Sequence, residues 1–401
     1  MKRTVLALVI LSLAAGLFAE PAFSGYSGGK VNYAANEDET EKYDPDLTLQ
    51  AFFQGQFNFS QNMWGRLEFS FDTGVFLSKE LFHKTSATFE IDELSLIFKS
   101  NSDSDANYFS IFMGTYDPIG SDIFLQRYFG IQPIASKITE SWLGLSGSVL
   151  YPHFGIGIAD VKRFMTSPIA LGGYVYLNHE DNLYYVINTD LRFACVYRFF
   201  TLDVAGGIGI PMSNKNQGQE VIASIEKLYW HAGTTMLIGN NYTTSLFIQA
   251  GLFNVPFTKR SGTQVAPDDL YLLFEPRLLI DSAHVNLSIF SLPQETVDQL
   301  SFVDDTLGVN LNIYADSFSI GANRFTFGTN FSYSLTGKNF MDLAKPMELL
   351  ESDFNLTMTP YLSTNFLSGE IHTQFSIKFM KIATSKWYDA FTFDIGYTTK
   401  I

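Results

Sequence analysis

Cysteine is almost missing from this chain. The lone Cys195 excludes an internal disulfide and any cysteine metal cluster, and it reads as a small apolar packing residue. Long apolar runs are missing too. Past residue 20 no stretch reaches the roughly 18 residues that a membrane helix requires. Positive charge is scarce: 26 Lys and Arg face 41 Asp and Glu, a net of −15 over 401 residues, which argues against nucleic acid as a partner. The six histidines form no HExxH or zinc spacing, and neither a P-loop nor GxGxxG is present. We therefore expect no cofactor, no metal and no catalytic residues. Two near-motifs agree. Asn101, Asp103 and Asp105 have the spacing of a calcium loop, but Ala106 and Phe112 stand where glycine and a bidentate glutamate belong. His284, Asn286 and Ser288 alternate along one stretch without a legible oxyanion hole.

What is plentiful is phenylalanine. The chain has 38, and aromatics make up 15% of it, while charged residues are 17%. Mean hydropathy is only +0.07. So much Phe in so polar a chain has to be spread over many half-apolar elements.

The first residues read as an export address. Met1-Lys2-Arg3 is basic, Thr4 to Leu17 is apolar, and Leu17-Phe18-Ala19 precedes Glu20-Pro21 with a small residue before the cut. We expect residues 1–19 to be a signal peptide and 20–401 the exported domain. Losing Lys2 and Arg3 leaves 24 basic against 41 acidic groups, a net of −17.

The rest alternates. In Leu47 to Ser60, LTLQAFFQGQFNFS, odd positions are Leu, Leu, Ala, Phe, Gly, Phe, Phe and even ones are polar except Phe52. Period two puts one face in an apolar medium and the other in water. Met63 to Asp72 repeats it after Gln61-Asn62. Further candidate strands lie near 87–99, 107–116, 141–150, 154–163, 170–178, 183–197, 200–210, 227–239, 242–255, 269–281, 283–291, 306–314, 318–334, 353–364, 369–382 and 388–401, with a weaker one at 23–34. Many are about ten residues, the length that crosses a bilayer at a tilt. Short links near 61–62, 198–199, 240–241, 282 and 315–317 tend to alternate with longer ones, and Trp64, Trp142, Trp230 and Trp387 fall near strand ends, where a membrane barrel carries its interfacial aromatic girdles. In lipid only a closed barrel satisfies every backbone N–H and C=O. The expected fold is all-β: a transmembrane antiparallel up-and-down β-barrel of about 16–18 strands.

The final stretch, Trp387 to Ile401, reads WYDAFTFDIGYTTKI, with Phe391, Phe393, Ile395, Tyr397 and Ile401 on one face. It resembles the closing strand of bacterial outer-membrane porins, though Ile401 replaces their terminal aromatic, and the porin-like texture covers the whole exported chain. The resemblance implies the outer membrane of a double-membraned bacterium, contact with its lipid, recognition of the last strand by the barrel-assembly machinery, and passage of small hydrophilic solutes. Homo-oligomerisation stays open.

Candidate lumen residues follow from opposite charges two apart: Arg66 with Glu68, Asp190 with Arg192, Glu275 with Arg277, and Asp72 beyond them. Their carboxylates, with the net negative charge, predict a mild cation preference. The apolar stretch 117–140 is a candidate constriction, bringing Asp122, Arg127, Lys137 and Glu140 near the path. Two other functions compete with a channel: a transporter of hydrophobic molecules such as fatty acids, needing an apolar lumen pocket and a plug, and a non-conducting surface adhesin or structural barrel, needing larger external loops.

Overall fold

The computed structural model describes residues 22–37, 43–75, 88–102, 104–139, 154–180, 184–212, 228–256, 269–298, 300–321, 323–383 and 387–401. Eighteen strands carry the fold. The first six are β1 (Ala22–Glu37), β2 (Tyr43–Ser60), β3 (Met63–Val75), β4 (Thr88–Asn101), β5 (Asp105–Thr115) and β6 (Phe154–Phe164). The next six are β7 (Ile169–Glu180), β8 (Tyr184–Tyr197), β9 (Phe200–Met212), β10 (Tyr229–Gly239), β11 (Ser245–Pro256) and β12 (Leu270–Ile280). The last six are β13 (Ala283–Ser291), β14 (Leu307–Ile320), β15 (Asn323–Leu335), β16 (Phe354–Phe366), β17 (Gly369–Lys378) and β18 (Phe391–Lys400).

Each strand pairs antiparallel with its neighbours in sequence, and β1 pairs with β18 over Tyr26 to Ala34. The ladder therefore closes into an up-and-down barrel of 18 strands with no free edge. Alternation sets the two faces. Ile111, Ile158, Leu171, Val175, Leu191, Ile208, Phe274, Ile289, Phe331 and Ile395 are exposed on the outside, while the intervening residues turn inward and are buried. An apolar outer face of this kind belongs in lipid.

Connections sort by end. The described links 61–62, 165–168, 198–199, 240–244, 281–282 and 367–368 are short and lie at one mouth. The connections 116–153, 292–306 and 336–353 lie at the other.

Three sequence readings change. The weak candidate at 23–34 is the full strand β1, and the candidate at 141–150 lies outside the described residues. The expected turn at 315–317 is absent. Strand β14 passes through it with a bulge between Ala315 and Phe318, and the chain reverses at Gly321, whose φ of 64° suits a residue without Cβ. Trp64 belongs to no outer girdle: its position alternates with Arg66 and Glu68, and its ring packs inside, edge-on to Tyr108 at 6.1 Å. Trp142 and the side chain of Trp387 lie outside the described residues.

Candidate functional site

The segment after β5 turns into the barrel. Asp117 has a left-handed backbone, φ 46°, and a short helix α1 (Ile123–Phe129) follows, ending on Gly130 with φ 67°. Its sequence, IFLQRYF, is apolar on nearly every side, and a helix of that kind needs cover all round. Phe124, Leu125 and Tyr128 are buried against the inner wall, in one cluster with Ile97, Phe112, Tyr174, Phe247, Tyr271 and Phe290. The segment runs the length of the barrel, since the carbonyl of Pro133 accepts from Asn241 in a short turn at the far mouth.

Charged side chains pin it to the wall. Arg127 donates to Asp117 at 2.5 Å and to both carboxylate oxygens of Glu93 at 2.8 and 2.9 Å. Glu93 also accepts from the Ser95 hydroxyl at 2.6 Å and lies 3.5 Å from Arg66, which is 3.2 Å from Glu68. The second oxygen of Asp117 accepts from the hydroxyls of Tyr128 and Tyr174, at 3.1 and 3.0 Å. The guanidinium of Arg127 sits 4.4 Å from the centre of the Tyr116 ring. Burial pushes the Tyr116 phenol up to about 12, against the opposing pull of Arg127. Burial also raises Tyr128, with Asp117 adding to the effect.

Arg192, Glu275 and Arg277 serve the same attachment, while Asp190 links strands of the wall. Arg192 donates to the carbonyl of Asp117 at 2.6 Å, pairs with Asp203, and lies over the Phe124 ring at 4.3 Å. Asp190 meets His231 at 2.9 Å and the Tyr176 hydroxyl at 3.1 Å. A Cβ on Gly207 would collide with the Asp190 carboxylate, so glycine is what lets it sit flat on the wall. Glu275 accepts from the Ser136 hydroxyl, the Lys137 backbone N–H and the Ser288 hydroxyl, at 2.7, 3.1 and 2.6 Å. Arg277 donates to Glu275, Asn241 and the carbonyl of Ala135. Asp122 ties the two limbs of the insert together by accepting from the Ile134 N–H at 2.8 Å. The Lys137 ammonium lies 5.7 Å from the centre of the Tyr314 ring, beside a cavity of about 520 Å³ at the short-turn mouth. Glu140 lies outside the described residues. His284, Asn286 and Ser288 form no relay: they engage Tyr314, Asn312 and Glu275 respectively.

A second insert was not legible in the sequence as an interior element. Residues 292–306, with the short helix α2 (Gln294–Asp298), bury Leu292, Val297, Phe302 and Val303 in the same cluster. Asp304 binds Lys378 at 2.6 Å and the Thr357 hydroxyl at 2.7 Å, and Asp305 accepts from Asn355 at 2.8 Å. Sequence reading also missed Glu93, Asp117, Asp203 and His231. The inward phase of their strands was the available signal for all but Asp117.

The inserts leave one part of the wall partly uncovered. Most inward side chains on β5 to β12 are buried, as are Glu93, Ser95 and Ile97 on β4, whereas Thr88 and Glu90 at its start are exposed. On β1 to β3, Lys30, Asn32, Thr48, Gln50, Gln54, Gln56, Asn58, Arg66, Ser70 and Asp72 keep intermediate exposure. Among them Asp72 accepts from Gln50 at 2.8 Å and from the Gly74 N–H at 2.7 Å. The interior is thus packed on one side and partly solvent-accessible on the other. In architecture this is a porin-like barrel.

No family model and no curated protein matches the chain. Solved structures that resemble it include three porins. The Salmonella typhi OmpF complex with daunomycin shares 11% identity over 95% of this chain and 97% of that one, with a TM-score of 0.41. A triple mutant of the Rhodopseudomonas blastica porin shares 9% over 95% and 100%, with a TM-score of 0.44. Pseudomonas putida OprB shares 8% over 95% and 94%, with a TM-score of 0.42. Similarity this slight adds nothing to the strand pairing itself as a sign of the barrel.

Proposed function

We propose that this protein is an outer-membrane channel for passive diffusion of small hydrophilic solutes, with a mild preference for cations. The observation that carries the reading is the polar strip on β1 to β3, whose inward side chains stay partly exposed while those of most other strands are buried beneath the two inserts or against one another. Barrels of this strand number are wide enough to hold water beside such inserts. A carrier of hydrophobic molecules needs an open apolar pocket, whereas the apolar inward side chains from β4 to β12 are covered.

The charge preference has a different source from the paired residues of the wall. Glu68 and Glu275 lie against arginines, and Asp190 lies against His231. At the long-loop mouth, inward Asp72, Glu90 and Asp92 stand near one another on β3 and β4, and the pairing of Ser70 with Glu90 and of Asp72 with Thr88 fixes their facing. Fixed carboxylates at an entrance raise the local cation concentration, an effect screened over about 10 Å at 0.1 M salt. Export through residues 1–19, contact with outer-membrane lipid, assembly through β18 and self-association belong to the same reading.

The test is single-channel recording of purified protein in a planar bilayer. The expected result is discrete ohmic conductance with a small cation-selective reversal potential in dilute salt. That potential should move toward anions in Asp72→Lys/Glu90→Lys. Absence of conductance defeats the channel. An unmoved potential in the double variant defeats the assignment of selectivity to these carboxylates.

A further inference from the structure

The polar strip has an unusual chemical make-up. Along β2 the inward positions are Thr48, Gln50, Phe52, Gln54, Gln56 and Asn58, and β1 adds Asn32 opposite Thr48. All but Phe52 are neutral, polar and partly exposed; Phe52 is buried, lying over Gly28, where a Cβ would come within 2.6 Å of its ring. From Thr48 to Asn58 the strand rises about 33 Å, comparable with the hydrocarbon thickness of a bilayer. Of the charges beside the row, Lys30 lies 3.2 Å from Asp394 and Arg66 lies 3.2 Å from Glu68, while Asp72, toward the long-loop mouth, accepts from Gln50 at 2.8 Å.

Resting on the channel reading above, we propose that conduction runs off-axis, along β1 to β3, and that the row of amides there selects uncharged polyhydroxylated solutes. The physical case is direct. Each amide presents both donors and an acceptor, so a hydroxyl meets a partner in either sense as it moves. Successive amides on one face of a strand are spaced about 7 Å apart, so a small polyol leaves one as it reaches the next. Exchange of bonds to water for equivalent bonds to the wall costs little, and a weak series of sites favours entry without trapping. A charged solute meets opposite charge only at the Arg66–Glu68 pair and at Asp72 by the mouth, so the amides themselves hold it no better than a neutral one. The wall from β4 to β12 offers no comparable surface, because Asn188, Thr235 and Gln249 are buried.

Two measurements on the full chain test the proposal. The first locates the path. Gln54→Cys, labelled with a bulky uncharged maleimide, is expected to lose at least half of its single-channel conductance. Ser332→Cys, inward-facing but buried on β15, is expected to lose none. Unchanged conductance in labelled Gln54→Cys, or equal loss in both, overturns the off-axis path. Failure of the unmodified protein to conduct at all is a different result, and it removes the channel reading together with this one.

The second measurement addresses selectivity, using liposome swelling with mannitol beside potassium chloride conductance. In Gln50→Leu/Gln54→Leu/Gln56→Leu, mannitol entry is expected to fall on the order of tenfold, several hydrogen-bonding positions being lost at once, while ion conductance falls far less. Where the triple variant does not assemble, Gln54→Leu alone carries the same comparison with a smaller fall. Equal losses for mannitol and salt show the amides to be mere lining and overturn the assignment.

Discussion

Lys30 and Asp394 form an ion pair across the seam that closes the barrel, 3.2 Å apart on neighbouring strands β1 and β18. Asp394 is buried and also accepts from Asn32 and Gln374, each at 2.7 Å, so a single carboxylate gathers β17, β18 and β1. Asp394→Ala leaves Lys30 without this counter-charge. Lys30 keeps partial access to solvent, so the cost is below the roughly 3–5 kcal/mol of breaking a fully buried pair. The folded band in unboiled gels should therefore give way to the unfolded band at a lower temperature than in the parent, with Asp394→Asn in between. An unaltered transition in Asp394→Ala would show that the backbone ladder alone holds the seam.

Arg127 is the main attachment of the first insert. Arg127→Ala leaves Glu93 with Arg66 and Ser95, and Asp117 with the Tyr128 and Tyr174 hydroxyls, so the cost is below the roughly 3–5 kcal/mol of a fully stranded buried charge and falls on the insert rather than the strands. Amide hydrogens at 122–138 should exchange faster while those of β7 and β8 keep their protection. Equal exchange in parent and variant would mean that the apolar contacts of Phe124 and Leu125 suffice.

Alkali should unseat the same segment. Tyr116, normally near 10, is raised to about 12 by burial, and Tyr128 is raised by burial and by the neighbouring Asp117. Raised folded values favour the neutral phenol in the seated state. Their contribution is complete below pH 10 and fades as pH climbs from 10 through 12, because a withdrawn insert ionises its tyrosines first. Absorbance titration should find tyrosinate appearing later in the folded parent than in the unfolded chain. Coincident titrations would contradict seating by these two residues.

Strand β18 supplies both flanks of the closure, pairing with β17 and β1. Deleting Phe391 to Ile401 exposes two strand edges and should abolish membrane insertion. Normal amounts of surface-accessible truncated protein would refute that role.

Strands were legible because burial here obeys a strict period of two, as in Leu47 to Ser60. The turn at 315–317 was misread because Ala315-Asp316-Ser317 has turn chemistry, while the bulge shifts phase within a continuous strand. The first insert was legible as a long apolar loop, and Arg127 as a charge within it. Its partners were not, since Glu93 lies 34 residues away and only three-dimensional closure brings it near. The second insert hid behind ordinary polar loop residues. Its anchors Asp304 and Asp305 gain meaning only from Lys378, Thr357 and Asn355 on later strands.

The apolar cluster shared by the inserts and the inner wall has a thermal consequence. The outer face of the barrel lies in lipid whether or not the inserts are seated, so withdrawing them transfers no outer apolar surface to water. Only the inner cluster, with Phe112, Phe124, Phe247 and Phe290 among its members, changes its hydration when an insert leaves. The heat-capacity increment of that opening therefore resides in the interior, as it does in a soluble domain. Hydrophobic contacts weaken on cooling. The inserts should loosen in the cold while the hydrogen-bonded cylinder around them stays intact, which makes low temperature a way of freeing the contents of the barrel without opening its wall.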